Sequence, residues 1–572
     1  MFPETRLVLI VSLIVACLLP LLSDRYFRLV EQKFTKFAEW RTTAVVVVFL
    51  GTIVVRLALL LKIPVPVPFV HDEFAYLVQA DMFAHGHLAY PSHPMARYLE
   101  TFYVTFTPTY SSMYPPAQAA VLALGQLLGH PWIGVLLSSA AMCAAILWML
   151  QAWIPPQWAL LGTILFTLRI GIISYWMNSY WGGAVAATAA ALVLGALPRI
   201  MKQQRWRDAL LMGIGAFVLA NSRPLEGAIL CVPVAVVMIA WLLKRRRSGA
   251  KLPVRTVMTP IAALLALTVG FTLYYNWRVT TNPFVVPHAI YIKEYMSVLP
   301  FMWMKPLPLK NFSNPQFHAF FDGWVPQQYN STWADAKRIT LSKVWEFRHF
   351  FLGWYLCLPL LAIPWVVRDR RVRFLLIEVV ICGAGLLAVV WFLPHYAAPM
   401  IPAFLAVLMQ CLRHMKQWKI RGYAIGGGFC RVIVLLALAV SVRDFRYAIR
   451  YPFEQPLFDH WQPHNWPRAE ITEELQKEPG EHLVLVRYPA DHDIHMEWVY
   501  NAADIDHAKI VWAREMPGVD VGPLLSYYRN RKVWEVETDS DDVPVYPYVA
   551  TKTTAAETAS KLVDSKGGIA HE

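Results

Sequence analysis

Long apolar runs recur along this chain and constrain its fold more than any other feature of the sequence. Hydrophobic residues make up 57% of the 572 positions and charged residues 16%, whereas soluble domains carry about 25% charged residues. An apolar run of about 20 residues is long enough to cross the hydrocarbon core of a bilayer as a helix. The sequence therefore predicts a polytopic, all-α transmembrane protein.

The predicted spans are apolar runs separated by polar loops. They lie at roughly 7–22, 43–63, 131–153, 155–173, 182–197, 208–221, 225–243, 256–275, 350–367, 373–393, 396–412 and 425–442. Together they predict about 11–12 transmembrane helices. The first run is short and ends without a small-residue cleavage site, so we expect a retained helix rather than a signal segment.

Basic residues are concentrated in the loops between these runs. Loops rich in lysine and arginine lie at 23–42, 198–207, 244–255, 368–373 and 413–421. By the positive-inside rule these loops are cytoplasmic. The net charge of +13 is then a topology signal and does not indicate a nucleic-acid partner. All five loops fall on one side if the apolar segment 115–129, too short to span, lies in the interface as a helix.

The other side of the membrane then receives two long loops, 64–130 and 276–349, together with the region 443–572. In a bacterial cell this would be the periplasmic side of the inner (plasma) membrane. The predicted domains are a hydrophobic segment with a basic loop (1–42), a transmembrane domain (43–442), an extracytoplasmic domain (443–550) and a disordered tail (551–572).

The predicted extracytoplasmic domain has a mixed composition. Its strand-like runs lie at 482–487, 509–514 and 532–537, and a helix-like segment precedes them at 468–477. Strands that alternate with helical stretches are typical of a small α/β domain.

Two adjacent carboxylates, Asp72 and Glu73, follow the predicted span 43–63 by a few residues. Carboxylates in a first helical turn are often there because the helix dipole stabilises them. The apolar residues that follow, Phe74 to Phe83, predict an amphipathic helix lying in the interface. A carboxylate at the bilayer surface could also accept a proton from a hydroxyl group and act as a general base.

The residues around these carboxylates favour a catalytic role over a purely structural one. Asp72-Glu73-Phe74-Ala75-Tyr76 is followed by His85-Gly86-His87, and Tyr114-Pro115-Pro116 precedes a short apolar helix that ends at Gly129. Over 43–442 the chain resembles the membrane-embedded GT-C glycosyltransferases, close to the protein O-mannosyltransferase and lipid A aminoarabinose transferase group.

That resemblance implies a sugar donor on a polyprenyl phosphate and an active site on the extracytoplasmic face. Asp72 resembles the catalytic base, and Glu73 is the fallback. The implied reaction is a direct displacement that inverts the anomeric carbon. The acceptor stays open between a protein, a lipid and a glycan, and the C-terminal domain is a candidate for selecting it.

A phosphate leaving group needs positive charge more than a strong acid. Arg223 and Arg278 lie at predicted external ends of spans, although snorkelling, or pairing of Arg223 with Glu226, would also explain an arginine there. The predicted donor-binding residues are Arg223, Arg278, His395, Tyr396, Tyr114 and Tyr76.

No cofactor is required by these patterns. A divalent metal is a possible alternative, held by His71, His85 and His87, although their spacing matches no strict ligand motif. The aromatic turn 176–181 is expected to belong to an interfacial aromatic belt. Sugar stacking on Tyr180 or Trp181 is the alternative.

Two other classes of function stay open. A transporter or flippase of lipid-linked saccharides would carry ionisable or Gly/Pro-broken positions in the middle of its spans. The polar residues here are concentrated at one face, which favours a one-sided active site. A non-catalytic membrane scaffold that presents the C-terminal domain would leave Asp72, Glu73 and the external arginines unexplained.

Overall fold

A computed structural model describes residues 24–548, with gaps at 329–331, 420–421, 423–424, 453–465, 540–542 and 544. The predicted helix at 7–22 and the predicted disordered tail at 551–572 lie outside the described residues.

Helices dominate the described chain. The longer ones are Asp24–Glu39, Arg41–Leu59, His71–Ala84, Pro116–Leu127, Pro131–Trp153, Pro156–Phe166, Ala184–Gln203, Trp206–Ala220, Pro224–Arg247, Thr259–Thr280, Trp333–Phe347, Arg373–Ala388, Ile401–Met415, Gly426–Arg450 and Trp466–Lys477. Shorter helical segments are Ala96–Leu99, Thr167–Gly171, Val254–Met258, Pro287–Tyr295, Pro315–Phe317, His318–Trp324, Val325–Gln327, Arg348–Leu352, Tyr355–Ala362, Ile363–Val366, Pro394–Ala397 and Gly522–Tyr527.

The helical, membrane-type fold is confirmed, and the number of spans stays a prediction. Among the described residues, five helices are long and apolar enough to cross a membrane: Arg41–Leu59, Pro131–Trp153, Ala184–Gln203, Pro224–Arg247 and Val254–Thr280. A sixth would be the pair Trp333–Leu352 and Tyr355–Val366, which is bent by 103°. Other predicted spans are shorter helices, such as Trp206–Ala220 and Ile401–Met415.

The loop at 64–130 begins with the His71–Ala84 helix, called the site helix below. The helix expected at 115–129 is present as Pro116–Leu127. Between the two helices lie short antiparallel strands that the sequence did not indicate: Tyr90–Pro91, Val104–Thr105 and Thr109–Ser112. Strands this short show too little alternation of apolar and polar residues to be read from sequence.

The site helix is buried within the protein, and its position at the membrane interface stays a prediction. On one side Tyr76 and Ala80 belong to the main core, together with Leu122 of the Pro116–Leu127 helix. On the other side Val78 and Met82 share a second core with the C-terminal domain. The C-terminal domain therefore packs against one face of the site helix.

The C-terminal domain is the small α/β unit that the sequence predicts. Its strands are His482–Arg487, Ile510–Arg514, Lys532–Glu537 and Val545–Pro547. The His482–Arg487 strand lies between the Ile510–Arg514 and Lys532–Glu537 strands and is parallel to both, while Val545–Pro547 adds an antiparallel edge. The Gly426–Arg450 helix continues past the predicted domain boundary at 442.

Candidate active site

Arg56 fixes the path of the chain into the site helix. It is fully buried near the end of the Arg41–Leu59 helix. Its guanidinium donates to the carbonyls of Ile63 and Pro64 and to Oδ1 of Asn178, each at 3.1 Å. Five donors in a rigid fork suit this kind of multiple capping. The segment that leads to Asp72 is therefore held against the chain around Asn178.

Glu73 is a structural carboxylate in this arrangement. Its Oε2 accepts hydrogen bonds from the backbone N–H groups of Phe69 (2.9 Å) and Val70 (3.2 Å), and its Oε1 accepts one from Tyr180 (3.0 Å). Burial raises the pKa of Glu73 to about 7, although these backbone donors oppose the shift. Both oxygens are occupied, so the side chain ties the start of the site helix to the aromatic turn.

Asp72 has a different environment. Its side chain is only partly buried, and its Oδ1 accepts a hydrogen bond from the hydroxyl of Tyr114. Burial raises the pKa of Asp72 to about 6, while the Tyr114 hydrogen bond and the charge of Arg223 act to lower it. A carboxylate with a pKa just below neutral is ionised at pH 7 and still basic enough to accept a proton.

Aromatic residues and one arginine surround Asp72. Tyr76 stacks on Tyr114 with ring centroids 4.4 Å apart. The Arg223 guanidinium carbon lies 4.4 Å from the centre of the Tyr396 ring. Arg223 precedes the Pro224–Arg247 helix, and Tyr396 lies in the Pro394–Ala397 turn. The structure thus gathers five of the predicted site residues around one partly open position.

His395 supports this group from behind. It is buried, and its Nδ1 lies 2.9 Å from the Tyr175 hydroxyl, which also accepts the backbone N–H of His395 at 3.0 Å. Its ring lies 4.9 Å from the rings of Trp181 and Tyr396. Burial and the charge of Arg223 hold the pKa of His395 well below its ordinary value, so the ring is neutral.

Arg278 is not part of the arrangement. Its side chain is exposed, and its guanidinium carbon lies 5.9 Å from the ring of Trp277. The arginine charge that acts on Asp72 is that of Arg223. Both arginines lie at ends of predicted spans, and the rotation of each helix about its axis decides which one faces the site.

The three histidines proposed as metal ligands are not brought together. His71 is buried at the start of the site helix, whereas His85 and His87 are exposed beyond its other end. A helix of that length separates its ends by about 20 Å. Among the described residues, no group of three or more His, Cys, Asp or Glu side chains is placed to hold a metal ion.

The aromatic turn lies inside the protein, so its interpretation as an interfacial belt was wrong. Trp176, Tyr180 and Trp181 are 1%, 2% and 5% exposed. The Tyr180 hydroxyl donates to the carbonyl of Pro66 at 2.8 Å, and its backbone holds Glu73. Buried rings cannot stack on a sugar, and they serve here as packing behind the site.

The sequence did not predict the contacts that the C-terminal domain makes with the site helix. The Tyr500 ring stacks on Phe74 at 4.3 Å, and its hydroxyl lies 3.2 Å from Nδ1 of His71. The Nε2 of His71 lies 3.0 Å from the carbonyl of Ile494. Burial lowers the pKa of His71 to about 3, so it is a neutral bridge. No local signal could have paired His71 with a tyrosine 429 positions away.

The loop 276–349 also reaches the site. His288, at the start of the Pro287–Tyr295 helix, has an exposed side chain, and desolvation together with the charge of Arg223 lowers its pKa. In the same helix, the Tyr291 hydroxyl accepts the backbone N–H of Tyr103 at 2.8 Å. The predicted role of this loop as a lid stays a prediction, but one of its helices packs beside the residues around Asp72.

No protein-family model and no curated protein matches the sequence. Among solved structures, the chain is similar to ArnT from Cupriavidus metallidurans bound to undecaprenyl phosphate. The identity is 13%, the TM-score is 0.50, and the match covers 86% of this chain and 92% of that one. ArnT is a GT-C protein.

Two further structures are similar at lower TM-scores. The apo form of the same ArnT has a TM-score of 0.47 at 12% identity, covering 87% of this chain and 93% of that one. An Archaeoglobus fulgidus oligosaccharyltransferase tethered with an acceptor peptide has a TM-score of 0.45 at 10% identity, covering 87% and 69%. The similarity to undecaprenyl-phosphate-bound ArnT confirms the expected GT-C resemblance at the level of the fold.

Proposed function

We propose that this protein is an inverting glycosyltransferase that moves a sugar from a polyprenyl-phosphate donor to an acceptor at the extracytoplasmic face of the inner membrane. Asp72 is the general base, and Arg223 is the cation that stabilises the departing phosphate. The observation that carries the proposal is the environment of Asp72, a partly open carboxylate held by Tyr114 and influenced by Arg223.

The two adjacent carboxylates have different roles in this proposal. Glu73 has both oxygens occupied by backbone N–H groups and is 2% exposed, so it has no free position for a substrate hydroxyl. Asp72 accepts a side-chain hydrogen bond from Tyr114 at Oδ1, and the residue remains partly accessible. Its pKa of about 6 is near the value that suits a base at neutral pH. We therefore assign the base to Asp72 and a positioning role to Glu73.

The leaving group supports the assignment of Arg223. A polyprenyl phosphate departs as an anion that needs no proton, and fixed positive charge stabilises it as it forms. Arginine forms bidentate hydrogen bonds with phosphate oxygens. Tyr396, beneath the Arg223 guanidinium, and Tyr76, stacked on Tyr114, would hold the donor between the cation and the base.

The fold and this pairing of cation and base support the proposed donor class. A structure of the same fold, ArnT, was crystallised with undecaprenyl phosphate. The acceptor is a protein, a lipid or a glycan. The C-terminal domain reaches the site helix through Tyr500 and is the candidate for presenting the acceptor.

The test is transfer of labelled sugar from a polyprenyl-phosphate donor by the purified protein in nanodiscs, with a periplasmic extract as the acceptor source. Asp72→Asn should lower the rate at least about 10²-fold, because general-base catalysis contributes ~10²–10⁴. The control is Asp81→Asn on the same helix, where the carboxylate bonds to Gln126 and to the backbone of Ala503. With both variants folded, equal activity in Asp72→Asn would refute the base assignment.

The same preparation separates the other possibilities. Movement of the lipid-linked sugar across the membrane without transfer would indicate a flippase. Absence of both activities would favour a non-catalytic scaffold. Adding a chelator tests for a divalent metal, because loss of transfer that Mg²⁺ or Mn²⁺ restores would establish one.

A further inference from the structure

A cavity of about 320 Å³ lies far from Asp72, among the ends of three helices, Arg41–Leu59, Pro131–Trp153 and Ala184–Gln203. Its charged lining residues are Arg41, Arg199, Lys202 and Arg371. None of the described residues that line it is acidic. A concave site whose described charged residues are all cations favours an anion.

The walls of this cavity are held by hydrogen bonds. Gln151 is buried and donates to the carbonyl of Arg41 at 3.1 Å. Arg199 donates to the carbonyls of Gly195 at 2.7 Å and Trp148 at 2.8 Å, and its guanidinium carbon lies 3.9 Å from the Trp148 ring centre. The Trp153 ring stacks on Phe374, which brings in the segment carrying Arg371. The cations therefore converge on packed helix ends.

Like charges are close together in this cavity. Arg199 lies near Arg41, whose charge acts unfavourably on it, and near the carboxylate of Asp208, whose favourable effect is the larger of the two. Four cations against one nearby carboxylate leave an excess of positive charge. A bound anion would relieve that repulsion, and phosphate oxygens are the natural partners of arginine and lysine.

The location of the cavity points to the cytoplasmic membrane surface. Arg41 begins a helix of 19 residues, and Asp72 follows its other end. Such a helix is about 28 Å long, close to the hydrocarbon thickness of a bilayer. Three of the loops predicted to be cytoplasmic, 23–42, 198–207 and 368–373, each contribute a cation.

The surface beside the cavity is apolar. The Arg41–Leu59 helix exposes Val47, Leu50 and Val54 along its length, at 46%, 52% and 63%. Acyl chains could lie along this surface while a headgroup occupies the cavity. Basic pockets between transmembrane helices on the cytoplasmic side are typical binding sites for anionic lipid headgroups.

We propose that this cavity binds a phosphate group at the cytoplasmic face, and that its occupant is the headgroup of an anionic phospholipid. Arg41, Lys202 and Arg371 contact the phosphate, and Arg199 supplies a fixed cation in the wall. The site is separate from the Asp72 site and does not depend on the proposed glycosyl transfer.

The experiment compares the full chain in nanodiscs of phosphatidylcholine with and without phosphatidylglycerol. The cavity variant is Arg41→Gln/Lys202→Gln/Arg371→Gln. The control variant, Lys244→Gln/Arg246→Gln/Arg247→Gln, removes the same number of charges from exposed positions. These positions lie in the predicted segment 244–255, which is assigned to the same side of the membrane. Native mass spectrometry measures retained phosphatidylglycerol, and thermal unfolding measures stabilisation.

Phosphatidylglycerol should raise the unfolding temperature of the wild type and of the control variant. The cavity variant should lose this effect and retain phosphatidylglycerol at least tenfold more weakly. Equal losses in both triple variants would overturn the proposal, since general surface charge would then explain the binding. If the triple variant does not fold, Lys202→Gln alone must weaken retention more than Arg247→Gln does.

Inorganic phosphate, titrated into the detergent-solubilised protein, distinguishes the two sources of the anion. Stabilisation by free phosphate that matches the effect of phosphatidylglycerol and needs the cavity residues would overturn the assignment to a lipid. Stabilisation by phosphatidylglycerol alone would support it.

Discussion

Replacing Arg223 by glutamine tests both roles of its charge at the site. The substitution removes the cation that lies over Tyr396 and acts on Asp72. An opposite charge nearby lowers a carboxyl pKa by about 1 unit or more. Without Arg223, the pKa of Asp72 should therefore rise from about 6 to about 7. A base acts in its deprotonated form, so the acid limb of the activity profile should move to higher pH.

The two effects of the substitution have different sizes. At pH 7, a shift of the Asp72 pKa from about 6 to about 7 lowers the ionised fraction from about 0.9 to about 0.5, less than a twofold loss. Losing a fixed charge that stabilises the departing phosphate costs about 10²–10³ in rate. Most of the loss should therefore persist at high pH, where Asp72 is fully ionised.

The assay is kcat/KM for labelled sugar transfer between pH 5 and about 9. Arg278→Gln is the matched control, because Arg278 is exposed and lies over Trp277. This variant should leave unchanged both the midpoint of the acid limb of the pH profile and the plateau of kcat/KM at high pH. A lower plateau with an unmoved midpoint would show that Arg223 does not influence Asp72. An unchanged plateau would remove Arg223 from the phosphate site.

Three further substitutions test the frame around the site by thermal unfolding. Glu73→Gln should destabilise the fold by about 1–3 kcal/mol, because its amide nitrogen cannot accept the backbone N–H that one oxygen accepts now; unchanged stability would contradict this. Tyr500→Phe keeps the stack on Phe74 but loses the hydroxyl contact to His71, so we expect a loss of about 1 kcal/mol. Gly134→Ala would place a Cβ 2.1 Å from the Val121 carbonyl oxygen and should cost about 1–3 kcal/mol, whereas Gly51→Ala, where a Cβ meets nothing within 4 Å, should not.

The parts of the fold that the sequence predicted are those with strong local signals. The helix after Pro115 begins at a proline, which suits a first helical position. The site helix ends at Ala84 with His85 as its C-cap, and Gly86 follows with a φ of +78°, a backbone conformation that glycine adopts readily. Two of the three parallel strands of the C-terminal domain, His482–Arg487 and Ile510–Arg514, contain continuous apolar runs, and the third, Lys532–Glu537, is interrupted by Glu535. The short strands of the first loop have no comparable signal.

Local sequence signals also predicted part of the composition of the candidate site. Asp72, Tyr76 and Tyr114 lie in motifs whose spacing is visible in the sequence. The choice between Arg223 and Arg278 is not visible, because it depends on how each helix is rotated against its neighbours. The bridge from His71 to Tyr500 needs a domain that folds back across more than 400 positions.

Helical geometry explains how two neighbouring carboxylates come to have different surroundings. Consecutive residues on a helix point about 100° apart. Glu73 is turned toward the buried aromatic turn, where the backbone N–H of Tyr180 donates to it, and the N–H groups of Phe69 and Val70 donate to its other oxygen. Asp72 is turned toward Tyr114 and the position that Arg223 faces. The position of Asp72 is therefore set by Glu73, since the carboxylate that is fully bonded fixes the rotation and the start of the helix that carries its neighbour.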